Sequence, residues 1–397
     1  MKRPILLGLA MAALLLAPVS PAKAENGCGA SSRGRLLSTT ELKVLSRDEV
    51  VATLRELGLA DRARYGARYV RLVYCTITPD GDPTAASGLL ALPLNRFGPR
   101  DTVLYAHGTV SERVDAPSFQ GTGEGQVIPL VFTAEGFTVA APDYLGLGVS
   151  RLAHPYVHAA TEASASIDML PAARLASARL RAPLTGEVFV TGFSQGGHAA
   201  MAVAQRLTAE GQKPWRLRAV APMAGPYDLS GLALPALLDP QRTDPASATA
   251  YAAYLLAMWK VLYGIYDDPR SVFTAPYADT VEGLFDGEHD FDLIAEALPD
   301  TPGELLLPET LAWLSNPDGR LLHALRENDV CRWAPTVPVR IFVGQADRDV
   351  APEHARRCHD QIAAAGGRSE VADLGPVDHV GTAITGLPMV RDWFLTY

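Results

Sequence analysis

Eight short apolar runs with helical stretches between them restrict the fold of this chain more than any other feature. They lie at 69–77, 86–94, 102–108, 137–144, 187–194, 217–225, 338–347 and 369–375. The central runs, such as "TVLYAHG" and "EVFVTGFS", are continuously apolar rather than alternating. That pattern belongs to parallel strands covered on both faces. The first two runs are separated only by the turn-rich "TPDGDPTA", a hairpin signal that makes the sheet mixed. Helical stretches at 161–181 and 196–210 separate later runs. Repeated strand, helix, strand predicts an α/β fold: a mostly parallel mixed sheet with helices on both faces and right-handed crossovers.

The rhythm breaks once. More than a hundred residues between "MAGPYDL" and "PVRIFVG" contain no clear strand. They include "YAAYLLAMWKVLYGIY" at 251–266, with aromatic and apolar residues at helical spacing, and further helical material at 304–315 and 319–327. A loop of that length without structure would be improbable. The expectation is one domain over 25–397 carrying a helical cap insertion at about 230–330. The aromatic stripe is expected to pack as the core of that insertion; the alternative is an acyl-binding face or one that makes transient contact with a lipid surface.

Residues 1–24 read as a secretory signal peptide. Lys2 and Arg3 precede an apolar stretch from Ile5 to Ala17, and Ala22-Lys23-Ala24 supplies a small-residue cleavage site. A secreted or periplasmic location follows. The stretch is shorter than the roughly 20 residues a membrane span needs. The formal net charge of −9 becomes more negative once those basic residues are removed. An acidic chain without a basic stripe is unsuited to nucleic acid. Cys28, Cys75, Cys331 and Cys358 in an exported chain imply two disulfides. Of the three connectivities, Cys28–Cys75 with Cys331–Cys358 is the most local. No cysteine or histidine spacing resembles a metal site, and no cofactor motif is present.

The run at 187–194 ends in Gly192-Phe193-Ser194-Gln195-Gly196 and passes into a small-residue helix. A G-x-S-x-G on a strand-to-helix turn is the setting of a nucleophilic serine, because the glycines let strand and helix backbones approach closely. Such a serine needs a base, an acid that orients the base, and N–H donors for an oxyanion. The strand at 338–347 runs into Asp347, with Asp349 as the nearby alternative acid. Asp347 comes first off the strand and is preferred. Of the three histidines after it, His354 and His359 fall in a helix, whereas His379 follows the last strand. The strand "VLYA" leads into His107-Gly108-Thr109, which assigns oxyanion donors to the main chain of Thr109 and Gln195. Tyr144, after another strand, is a candidate for lining the substrate site near Thr109; the alternative is a packed tyrosine with a tethered hydroxyl. His154 and His158 are read as stabilising their loop, and His198 as a packing or capping residue.

Together "YAHGT", "VAAPDYLGLGVS", "HPYVHAATEASASIDML", "GFSQGGHAAM" and "GQADRDV…DH" resemble the secretory lipase and esterase group of α/β-hydrolases, akin to fungal lipase A. The resemblance spans roughly residues 100–385. It implies the α/β-hydrolase fold and metal-free hydrolysis of a small-molecule or lipid carboxylic ester, with Ser194, Asp347 and His379 as the triad. It also implies that the insertion forms a lid and acyl pocket. A serine peptidase, an acyltransferase and a non-catalytic binding protein on the same scaffold are the alternatives. The sequence sets neither the acyl chain nor the oligomeric state.

Overall fold

Nine strands form one sheet in the order β1-β2-β3-β5-β4-β6-β7-β8-β9. They are β1 (Leu36–Leu45), β2 (Ala67–Ile77), β3 (Pro83–Pro93), β4 (Arg100–Ala106), β5 (Thr138–Pro142), β6 (Leu184–Phe193), β7 (Arg216–Met223), β8 (Arg340–Val343) and β9 (Glu370–Asp373). The computed structural model describes residues 27–60, 62–119, 123–211 and 214–397. The leader expected at 1–24 lies outside them. β1, β2 and β3 are joined antiparallel, and β3 meets β5 antiparallel. From β5 through β4 to β9 every pairing is parallel.

Alternation along each strand divides the core in two. Leu104 of β4 points to one face and Val103 and Tyr105 to the other. The first face is covered by α3 (Ala159–Arg179), α4 (Gln195–Ala209) and α9 (Glu353–Ala364). The second is covered by α1 (Arg47–Glu56), α2 (Glu124–Thr133) and α10 (His379–Phe394). This is the α/β-hydrolase architecture that the runs and the resemblance predict. β1 lies outside the eight apolar runs: "LLSTTELKVL" is an edge strand, half exposed along its length, and so lacks the continuous apolar signal of its neighbours.

Between β7 and β8 the chain leaves the sheet. It forms α5 (Pro245–Tyr263), α6 (Phe291–Ala297), α7 (Pro308–Ser315) and α8 (Gly319–Glu327), with shorter turns between them. α5 has clear local causes. Asp244 accepts from the N–H groups of Ala246 and Ser247, Pro245 opens the helix, and Gly264 at φ 59° ends it. These helices share their own apolar core, which includes Trp259, Tyr254, Phe273 and Leu321.

The two stems of this excursion meet. Val330 N–H donates to the Tyr227 carbonyl at 3.2 Å, and Ser230 N–H to Asp329 at 3.0 Å. Fully buried Asp228 takes Arg357 at 2.9 Å and Arg332 at 3.6 Å. Cys331 is bonded to Cys358 of α9, and Cys28 to Cys75 of β2. With sequence separations of 27 and 47 residues, each bridge contributes roughly 3–4 kcal/mol by restricting the unfolded chain.

Candidate active site

β6 delivers Ser194 on a sharp turn. Ser194 has φ 59° and ψ −123°, and Gln195 begins α4 immediately after it. That backbone costs a non-glycine residue about 1–3 kcal/mol and persists only where surrounding packing enforces it. Its neighbours supply the enforcement. A Cβ on Gly192 would lie 2.1 Å from the Gly196 carbonyl oxygen, and one on Gly196 2.0 Å from that of Ala106. No side chain fits at either position. The Ser194 N–H donates to the Met223 carbonyl at 3.0 Å, fixing the turn to β7.

His379 opens α10, whose first turn is capped by Asp378 accepting from Gly381 N–H at 2.7 Å. Its Nδ1–H donates to Asp347 Oδ2 at 2.7 Å, which leaves Nε2 to accept from the Ser194 hydroxyl at 2.9 Å. Burial alone would lower the imidazole pKa. The hydrogen bond and charge of Asp347, with the further charges of Asp349 and Glu124, outweigh it and raise the pKa above its ordinary value. The Asp349 carboxylate is not hydrogen-bonded to His379; it accepts from the Tyr251 hydroxyl at 3.4 Å.

At the end of β4, Gly108 N–H donates to Glu124 Oε1 at 2.9 Å, and the Tyr105 hydroxyl bonds the same oxygen. This holds the turn that carries Thr109. The Thr109 hydroxyl is paired with that of Tyr156 at 2.9 Å. Thr109, Ser194 and Gln195 line one cavity. Tyr144 is not among the residues that line it. Its ring lies tilted against His107 with centroids 4.3 Å apart, and its hydroxyl donates to the His107 carbonyl, so the side chain packs within the core. Tyr156 occupies the position beside Thr109 instead.

The rest of the cavity extends into the helical excursion. Leu229, Ala233, Leu234, Leu237, Leu255 and Leu325 make its wall apolar. Tyr251 and Asp349 contribute polar groups. The aromatic stripe of α5 divides between two tasks. Trp259 and Tyr254 are buried, with Trp259 Nε1–H donating to the Tyr156 carbonyl and Tyr254 stacked on Tyr156 at 4.2 Å. Tyr251 and Leu255 reach the cavity.

Glu162 lies within the family-like stretch at 154–170 but has no role assigned to it by sequence, and Glu124 lies outside those stretches. Glu162, in the first turn of α3, bonds both Gln195 and His198, one and four residues after Ser194. Two sets of three possible metal ligands come within 4.8 Å of one another among the described residues: Asp347 with Asp349 and His379, and Glu112 with Asp115 and Asp290. In the first, the imidazole Nδ1 is already taken by Asp347.

The chain is similar in structure to the rice cell-wall-degrading esterase LipA from Xanthomonas oryzae. The two share 30% identity over 92% of this chain and 99% of that one, with a TM-score of 0.84. Candida antarctica lipase A shares the fold at 14% identity, covering 88% of this chain and 78% of its own, with a TM-score of 0.66. Its closed state matches at 16% identity over 92% and 82%, with a TM-score of 0.68. No family sequence model and no curated protein sequence matches the chain.

Proposed function

This chain belongs to the secretory lipase and esterase group of the α/β-hydrolase superfamily and is a carboxylic-ester hydrolase, and from that premise we propose that it is an exported serine hydrolase working through Ser194, His379 and Asp347. The observation that carries the assignment is the position of His379, within 2.9 Å of the Ser194 hydroxyl and 2.7 Å of Asp347. His379 Nε2 takes the Ser194 proton as Oγ attacks the ester carbonyl. The N–H groups of Thr109 and Gln195 face the tetrahedral oxyanion; Gln195 is the first residue of α4, so its N–H has no acceptor within the helix. His379 then protonates the departing alcohol and activates water against the acyl-enzyme, while Asp347 holds the ring and its charge.

The apolar excursion over 229–327 serves as a cap, and its leucine-lined wall receives the acyl chain. Export is supported by the leader pattern at 1–24 and by the two disulfides.

A fluorophosphonate tests the nucleophile directly. Wild-type protein should be labelled stoichiometrically at Ser194, and Ser194→Ala should be folded, unlabelled and slower by at least about a thousandfold in kcat. Esterase activity retained by that variant would refute the assignment.

A further inference from the structure

Behind the nucleophile lies a pair of charged side chains that the proposed chemistry does not itself use. Glu162 of α3 and His198 of α4 are 1% and 0% exposed. Glu162 Oε2 meets His198 Nδ1 at 2.7 Å, and His198 Nε2 meets the Asn328 carbonyl at 2.8 Å. With Glu162 ionised, both acceptors are oxygens without protons to give, so both ring nitrogens donate and the ring is an imidazolium. Burial opposes that state, but the charge and hydrogen bond of Glu162, together with the Asn328 carbonyl, raise the pKa of His198 overall.

The other carboxylate oxygen, Oε1, accepts from the Gln195 side-chain amide at 2.9 Å. The second hydrogen of that amide faces His154 Nε2 at 3.2 Å. His154 donates its Nδ1–H to the Leu145 carbonyl at 2.7 Å, which leaves Nε2 free to accept. Gln195 is therefore held in one orientation; a flipped amide would set its oxygen against a carboxylate.

A buried ion pair of this kind is weak as a device for stability, because desolvation consumes most of its attraction and apolar replacements are often neutral. Its location supplies a different reason. We propose that Glu162 and His198 are positioning residues for ester hydrolysis: the carboxylate fixes Gln195, whose main-chain N–H faces the oxyanion, and the imidazolium cancels the field that this carboxylate would direct at the developing negative charge. The proposal rests on the assignment of Ser194 and Gln195 given above. Neither residue touches substrate. Removal of the cation alone would be worse than removal of both charges, since it leaves an uncompensated anion behind the oxyanion donor.

The test is a set of variants assayed with p-nitrophenyl acetate. Rates are normalised to sites titrated by fluorophosphonate, and folding is checked by circular dichroism. Glu162→Gln keeps the acceptor for Gln195 and can donate to a neutral His198, so kcat should stay within about threefold of wild type. His198→Asn should lose about 10- to 100-fold in kcat with KM little changed. Adding Glu162→Gln to His198→Asn should recover most of that loss. Glu162→Leu combined with His198→Leu keeps an apolar core but releases Gln195, so it should fold and lose at least about tenfold in kcat. That apolar pair decides the matter if His198→Asn does not fold. Wild-type kcat in the apolar pair overturns the proposal, as does a Glu162→Gln/His198→Asn double variant no faster than His198→Asn. If wild type itself fails to label at Ser194, the nucleophile assignment has failed instead, which is a separate result.

Discussion

Asp347 commits only one of its oxygens to His379. Oδ2 receives the imidazole Nδ1–H at 2.7 Å, while Oδ1 accepts the main-chain N–H groups of Asp349 and Val350, both at 2.9 Å. The loop that carries the acid therefore also aims it. Asp347→Asn should fold and lose about a thousandfold or more in kcat, since an amide cannot hold the required tautomer. Asp349→Asn should retain most of its kcat. Equal losses in the two variants would contradict the choice of Asp347.

The pH profile follows from the raised pKa of His379. In the proposed mechanism the free enzyme is active when this imidazole is neutral, so the acid limb of kcat/KM should have its midpoint above the ordinary value of about 6.5. Asp349 helps to hold the proton on His379. Asp349→Asn should therefore shift the acid limb to lower pH while leaving the plateau nearly unchanged. A limb that stays put, or moves to higher pH, contradicts this account.

Glu124 secures the turn before Thr109. Glu124→Gln can still accept from Gly108 and should remain within a few fold of wild type. Glu124→Ala frees that N–H and should lower kcat by at least about tenfold. Steady-state kinetics on both variants would distinguish an anchoring acceptor from simple filling of space, which predicts similar small losses.

Acid should weaken the fold through its buried histidines. Burial lowers the His354 pKa to about 3 and that of His158 to about 4, and it also lowers those of His107 and His154. A group whose pKa is depressed by folding stabilises the fold above its unfolded value and loses that contribution as pH falls towards the folded value. Thermal midpoints should therefore drop steadily from pH 6.5 to pH 4. His198, His379 and the buried carboxyls of Glu124 and Asp143, all raised by folding, act in the opposite sense. His158→Gln should flatten the drop; an unchanged slope in that variant would remove His158 from the explanation.

The cavity proposed to receive the acyl chain should set its length. Ala236 lies on its lining beside Leu237, and Ala236→Phe reduces the available space. Activity on p-nitrophenyl octanoate should fall at least about tenfold more than activity on the acetate. Parallel losses on both esters would place the acyl chain elsewhere.

Much of this was readable from residue order because parallel strands and a strained elbow leave local marks. The continuous apolar runs located the inner strands, and the glycines flanking Ser194 declared a close backbone approach before any contact was known. His379 stands out in sequence because it follows the last strand, whereas His354 and His359 fall within α9. What stayed hidden depends on contacts distant along the chain. Glu162 looks like any acid in a helical first turn until α4 is packed on α3, and Glu124 acquires its partner only when α2 meets the end of β4. Tyr144 and Tyr156 illustrate the same limit. Each follows a glycine- or proline-marked turn, and only the fold decides which of them packs against His107 and which stands beside Thr109.

The clasped stems at 227–230 and 328–332 have a consequence for how such an enzyme can change. The helical excursion leaves and rejoins the sheet through neighbouring points, fastened by Asp228, its two arginines and the Cys331–Cys358 bridge. Its length and internal sequence can thus vary while Ser194, Asp347 and His379 keep their attachment to the strands. With the excursion as the proposed acyl chamber, substrate preference would be modular: the chamber would be open to exchange as a unit, by recombination or in the laboratory, without rebuilding the strand ends beneath it.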